Sequence, residues 1–190
     1  MRWVYDYLFI VMWVAFLLYW RIAAVGAKAT QRIEPARSRA LRVVLFACAL
    51  LLLIAHRLPL PWLYDPFYRS GLVTFWLGAA ITMAGLLFCV WARLHLGANW
   101  SRSVTIKQGH ELITTGPYRI VRHPIYTGLL TGFLGTAIAL GQVRGAIAFL
   151  LILVAFRFKW RLEEQWMREQ FGPLYADYAR RVPSVLPRPM

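Results

Sequence analysis

Gly116-Pro117-Tyr118-Arg119-Ile120-Val121-Arg122-His123-Pro124-Ile125-Tyr126 sets an Arg-His pair directly before a proline, at the edge of a long uncharged segment. Proline suits the first turn of a helix, where its missing N–H would be an orphan anyway. Pro124 is therefore expected to open a helix, with His123 at its mouth and Arg122 just outside. Pro124–Leu140 carries no charge, Gly141-Gln142-Val143-Arg144 reads as a tight turn, and Gly145–Phe156 is again uncharged. The pattern predicts an antiparallel helical hairpin. The acidic pair Glu163-Glu164 follows just past its second arm.

Three more apolar segments lie upstream. Trp3–Trp20 holds one acid, Asp6, which an i,i+4 pair with Arg2 accounts for. Leu41–Ala55 holds only Arg42, and Gly71–Ala92 has no charge. A spanning helix takes about 20 apolar residues, with a range of roughly 17–25. The second segment reaches that length only by running on past His56. The fifth, Val143–Phe158, reaches it if Arg144 and Arg157 snorkel. The chain is 59% hydrophobic with a mean hydropathy of +0.51, against about 45–50% apolar for a soluble domain. The fold class expected is an all-α integral membrane protein of five transmembrane helices, the last two a hairpin, with a cytoplasmic helical extension at the C-terminus. The first segment lacks a small-x-small cleavage site and has Trp3, Tyr19 and Trp20 at its ends, so it reads as a retained helix with an aromatic belt.

The net charge of +14 invites a nucleic-acid reading, but its distribution argues against one. Residues 21–42, 93–122 and 157–190 hold six, five and seven Lys or Arg, while the alternate side holds only Arg2, Arg57, Arg69 and Arg144. That is the positive-inside pattern, with the N-terminus outside and the C-terminus in the cytoplasm. A basic soluble nucleic-acid binder would be amphipathic, not apolar in long blocks. Cys48 and Cys89 both fall inside the apolar segments and read as reduced packing residues.

The chain reads as one domain over 1–190, with N-terminal helices in 1–92 and a functional half in 93–187. The last helix should continue from Arg157 to Phe171, with Gly172 as its C′ residue and Pro173 opening a short further helix. Tyr175, Tyr178 and Val182 would then turn an apolar face onto the membrane surface. Gly78, Gly85, Gly128, Gly132 and Gly135 permit close helix contact. Trp62, Tyr64, Phe67 and Tyr68 in the outer loop read as interfacial.

The polar residues admit two readings each. A helix mouth with Arg122 beside it suits an anionic group such as a carboxylate, and Tyr126 shares a face with His123; the alternative is a helix start carrying ordinary cytoplasmic charge. Glu163 and Glu164 could capture an ammonium or sulfonium, or Glu164 could simply pair with Arg168. Adjacent helical residues point about 100° apart, so one acid can face a pocket while the other pairs locally. Taken together, the hairpin begins with a cationic site and ends with an anionic one, which matches a zwitterionic ligand.

The ordered set His110-Glu111-Leu112-Ile113-Thr114-Thr115-Gly116-Pro117-Tyr118, Arg122-His123-Pro124-Ile125-Tyr126-Thr127-Gly128, Glu163-Glu164, Phe171-Gly172, Tyr175, Tyr178 and Arg181-Val182-Pro183 resembles the isoprenylcysteine carboxyl methyltransferase family. More widely it resembles the membrane methyltransferases that include phospholipid N-methyltransferases. Leu96-Gly97-Ala98-Asn99-Trp100-Ser101 resembles their bacterial branch. The resemblance covers residues 93–187. It implies S-adenosyl-L-methionine as methyl donor, with His110, Glu111, Leu112, Ile113, Tyr118, His123, Pro124, Ile125 and Tyr126 lining the cofactor pocket and Glu163 holding the amino end. It implies that Arg122 faces a carboxylate of substrate or cofactor. Lys159 falls where the family has a basic substrate contact, and Arg122, Lys159 and Glu164 are the catalytic candidates.

Methyl transfer from a sulfonium is an in-line displacement that depends mainly on alignment. A carboxylate acceptor needs no strong base, whereas an amine would need His123 or Glu164 to deprotonate it. The acceptor expected is an isoprenylcysteine-like or other lipidic carboxylate. A phospholipid amine or a small thiol is the alternative within the class. A sterol-type reductase using NADPH or a non-enzymatic membrane protein is the alternative outside it. No metal, nucleic acid or obligate protein partner is expected; the scattered histidines have no ligand spacing. The expected location is a bacterial inner membrane, with the site on the cytoplasmic face.

Overall fold

A computed structural model describes residues 2–23, 30–33, 36–55, 58–97, 105–107 and 112–187, with side chains placed in 7–23, 36–55, 58–97 and 112–187. The Arg2–Asp6 pair lies outside the described side chains, and His110 and Glu111 lie outside the described residues. The framework is helical: α1 (Arg2–Ile22), α2 (Ala36–Ile54), α3 (Leu72–Leu96), α4 (Pro124–Leu140), α5 (Val143–Phe171) and α6 (Pro173–Arg181). To it the basic loops add a short antiparallel ribbon, β1 (Thr30–Ile33) with β2 (Thr105–Lys107), irregular between Thr30 and Arg32. The β-branched residues Thr30, Ile33, Thr105 and Ile106 suit it.

Among the described residues one helix, Leu72–Leu96, is long and apolar enough to cross a membrane, and Tyr7–Ile22 and Pro124–Leu140 are shorter apolar helices. The second apolar segment gains its length at the other end from the one expected. Its helix starts at Ala36, takes in Arg37, Arg39 and Arg42, and stops at Ile54. Ala and Arg are good helix formers, and Arg42 ties back one turn to Ser38 at 2.8 Å.

The tightest seam runs between α3 and α4. A Cβ on Gly78 would stand 2.5 Å from the Gly135 carbonyl oxygen, and one on Gly85 would stand 2.5 Å from that of Gly128. Backbones approach this closely only where side chains are absent. Mid-seam, the Thr82 and Thr136 hydroxyls lie 3.2 Å apart, and Trp13 Nε1 of α1 donates to Thr136 at 3.1 Å. Phe133 gathers α1 and α2 onto α4, its ring 4.7 Å from that of Trp13 and 5.7 Å from that of Phe46.

At the far end of the hairpin Gly141 adopts a left-handed φ of +62° and closes α4. Arg144 does not snorkel. It is buried, donates Nη1 to the Leu52 and Ala55 carbonyls and Nε to Gln142 at 2.7 Å, and covers the Tyr64 ring at 4.7 Å. The carbonyls at a helix C-terminus need donor partners from outside the helix, and a neighbouring guanidinium serves Leu52 and Ala55 at the end of α2. Cys89 is buried and Cys48 exposed, both as free thiols.

Candidate functional site at the hairpin mouth

α5 runs unbroken through Glu163-Glu164 to Phe171, Gly172 takes φ +50°, and Pro173 opens α6. This brings the acidic pair back to the start of α4, as an antiparallel hairpin must. The two acids diverge, as neighbours on a helix do. Glu164 Oε1 accepts from Arg122 Nε at 3.1 Å and Nη2 at 2.5 Å, from His123 Nε2 at 3.2 Å and from Ser184 Oγ at 3.0 Å. Its other oxygen lies 3.4 Å from Arg168. Glu163 Oε1 accepts from the Tyr126 hydroxyl at 2.5 Å, and its Oε2 lies 3.6 Å from His123 Nδ1. The His123 ring thus stands between the two carboxylates.

Burial opposes the charged form of all three groups, and their mutual pairing overcomes it. Burial raises the proton affinity of Glu164, but hydrogen bonds from His123 and Arg122 hold it down to about 2. Glu163 is likewise held below the ordinary carboxylate value, against burial, by His123 first and then Lys159. His123 is raised above 6.5, because the two carboxylates outweigh the cost of burying an imidazolium.

The wall behind the carboxylates is aromatic. Tyr126 stacks on His123 at 5.5 Å and on Phe156 at 5.0 Å, and the Lys159 ammonium lies 5.2 Å from the Tyr126 ring centroid. Lys159 sits one turn before Glu163, on the same side of α5. Pro124 is buried in the first turn of α4, while Ile125 packs on the core and takes the Cys89 thiol on its carbonyl at 3.2 Å. Glu163 retains a quarter of its side-chain exposure, against 12% for Glu164.

Arg122 has protein partners throughout. Beyond Glu164, its Nη1 donates to the carbonyls of Ala179 at 3.0 Å and Val182 at 2.5 Å. Its guanidinium therefore caps the end of α6. The helix mouth is also covered: the N–H groups of Arg122 and His123 donate to the Pro183 and Ser184 carbonyls at 2.8 and 3.0 Å, and the Thr127 hydroxyl donates to Val185 O at 2.7 Å. The segment 183–185 is a strap whose part the sequence reading missed. Backbone carbonyls carry it, and residue types do not announce them.

Tyr175, Tyr178 and Val182 do not face a membrane surface. They are buried against Leu112, Met167 and Phe171 of the chain itself. The Tyr178 hydroxyl donates to the Tyr118 carbonyl at 2.6 Å, a polar tie that water or lipid headgroups would contest outside the protein. Leu112 and Tyr118 are therefore held by α6, and Ile113 is half-buried beside them.

A model of the phospholipid methyltransferase family matches residues 73–173, the stretch that carries α3, the hairpin and both acids. This chain belongs to that family. It is 32% identical to protein-S-isoprenylcysteine O-methyltransferase B of Arabidopsis thaliana over 67% of this chain and 68% of the relative. It is 37% identical to protein-S-isoprenylcysteine O-methyltransferase of Schizosaccharomyces pombe over 50% of this chain and 42% of the relative. It is 32% identical to methanethiol S-methyltransferase 2 of Bradyrhizobium diazoefficiens over 79% of this chain and 60% of the relative. These relatives are O- and S-methyltransferases, and the family this chain belongs to is one of methyltransferases.

Proposed function

We propose that the chain is an S-adenosylmethionine-dependent methyltransferase, held in a membrane by five spans with the hairpin mouth on the cytoplasmic face, and that it methylates a lipidic carboxylate. The observation that carries this is Glu163: a part-exposed carboxylate set between Tyr126 and His123 inside the family-matched region. The donor set fits the cofactor. Glu163 offers an anion to an ammonium, and Leu112 and Ile113 offer apolar cover to a purine. The family resemblance adds His110, Glu111, Pro124 and Ile125 to the proposed cofactor-binding set. Large apolar side chains exposed along α1, α2, α3 and α5, among them Val14, Val44, Leu87 and Val154, support burial of those helices in lipid.

When bound, S-adenosylmethionine supplies an electrophilic methyl group. The chain's own part is alignment, which contributes roughly 7–11 kcal/mol when the reacting atoms are held in line. Lys159 draws the acceptor's anion towards the Tyr126 wall. Arg122 and Glu164, buried and paired, fix His123 and the end of α6 around the pocket. A carboxylate acceptor loses no proton, so His123 can remain an imidazolium between its two acids throughout. A small thiol is the second reading, favoured by the likeness to a methanethiol S-methyltransferase; as a thiolate it would use the same Lys159 attraction.

Calorimetric titration of S-adenosylhomocysteine into the detergent-purified protein tests the reading. Glu163→Ala should abolish binding. Unchanged affinity would remove the basis for the proposal.

A further inference from the structure

His95 is a titratable group that the proposed chemistry leaves unused. It lies in the last turn of α3, and its Nε2 is 2.8 Å from the Thr115 hydroxyl. Its ring stacks on Tyr118 at 6.5 Å, tilted by 26°. Gly116, between those two partners, has φ +57°, and a Cβ there would stand 2.7 Å from His95 Cε1 and 2.8 Å from Nδ1. The loop turns over the imidazole with no room for a side chain, and in a conformation that favours glycine.

The same loop is held at its other side by α6, through the Tyr178 bond to the Tyr118 carbonyl and through Leu112 packed against the cluster of Tyr175, Tyr178 and Val182. Residues 112–118 are thus slung between two fixed points, His95 on α3 and Tyr178 on α6. Leu112 and Ile113, proposed above as cofactor cover, and Tyr118, which the family resemblance assigns to the cofactor pocket, all lie on this span. We propose that His95 is a positioning residue for methyl-donor binding, acting through Thr115 and Gly116 to set the height of the loop over the pocket. The inference rests on the cofactor-site reading above.

The test is S-adenosylhomocysteine affinity by calorimetry, with kcat and KM for the methyl donor measured on a membrane-lipid extract and labelled cofactor. His95→Ala should weaken binding roughly tenfold, the upper range of what one net hydrogen bond contributes, and raise KM with kcat little changed. Thr115→Val, the milder variant should the first not fold, should weaken binding in the same sense. Because both act through one bond, the double variant should bind no more weakly than His95→Ala alone. His95→Gln should restore part of the affinity by offering an amide to Thr115. Wild-type affinity in His95→Ala and Thr115→Val, with binding lost in Glu163→Ala, would overturn the positioning role and leave the site reading standing. Affinity retained in Glu163→Ala would overturn the site reading, and the inference with it.

Discussion

Replacing Glu164 by glutamine keeps its shape and removes its charge, leaving Arg122 and His123 without their shared anion. Arg122 and Glu164 are 10% and 12% exposed, and removing one partner of a buried pair costs about 3–5 kcal/mol. Proton linkage gives a second figure. Glu164 falls from an ordinary 4.5 to about 2, and at about 1.4 kcal/mol per tenfold this amounts to about 3 kcal/mol. A depressed carboxylate stabilises fully above its unfolded value and loses that stabilisation as pH falls through its folded one. At pH 7, Glu164→Gln should therefore lower the melting midpoint by about 6–12 °C, taking about 2–4 °C per kcal/mol for a chain of this size. The gap between wild type and variant should close as pH falls from about 4.5 to 2. His123 is charged in folded and unfolded chain alike in that window, so it does not confuse the reading. Thermal unfolding of the detergent-purified protein across that range is the assay. A gap that stayed constant with pH would refute the account of Glu164 as an ionised anchor.

Other expectations follow from the same contacts. His123 is held charged by its acids, so its stabilisation is present below 6.5 and lost as pH rises through its raised folded value; melting of His123→Gln against wild type should show a gap that narrows at high pH. Arg144→Leu, far from the hairpin mouth, should destabilise by about 1–3 kcal/mol through lost hydrogen bonds to the Leu52 and Ala55 carbonyls without changing S-adenosylhomocysteine affinity. Gly85→Ala, with its Cβ forced to 2.5 Å from a carbonyl, should destabilise by about 1–3 kcal/mol, seen as a lowered melting midpoint. Ser184→Ala should cost about 1 kcal/mol, because Glu164 keeps its other donors.

The hairpin was legible because its signals are local. Pro124 marks a helix start, Gly172 and Pro173 mark a stop and a new start, and uncharged runs lie between. The divergence of Glu163 and Glu164 was legible for a similar reason, since helix geometry alone separates neighbours. The partners of Arg122 were not legible. Its guanidinium is satisfied by carbonyls of Ala179 and Val182, and every residue carries a carbonyl, so composition cannot single them out. Arg144 misled in the opposite sense. A charge at the end of an apolar segment suggests lipid headgroups, and only the return of α2 beside α5 shows the protein acceptors that claim it. For the tyrosines of α6, periodicity identifies an apolar face but not whether lipid or protein covers it.

Along the seam where Gly78 meets Gly135 and Gly85 meets Gly128, two helices share one surface, stitched at mid-depth by threonine hydroxyls. Such a joint has no slack into which an acyl or prenyl tail could wedge. α3 and α4 therefore travel as a single plank, and an acceptor of the lipidic kind proposed above would have to enter elsewhere than between them.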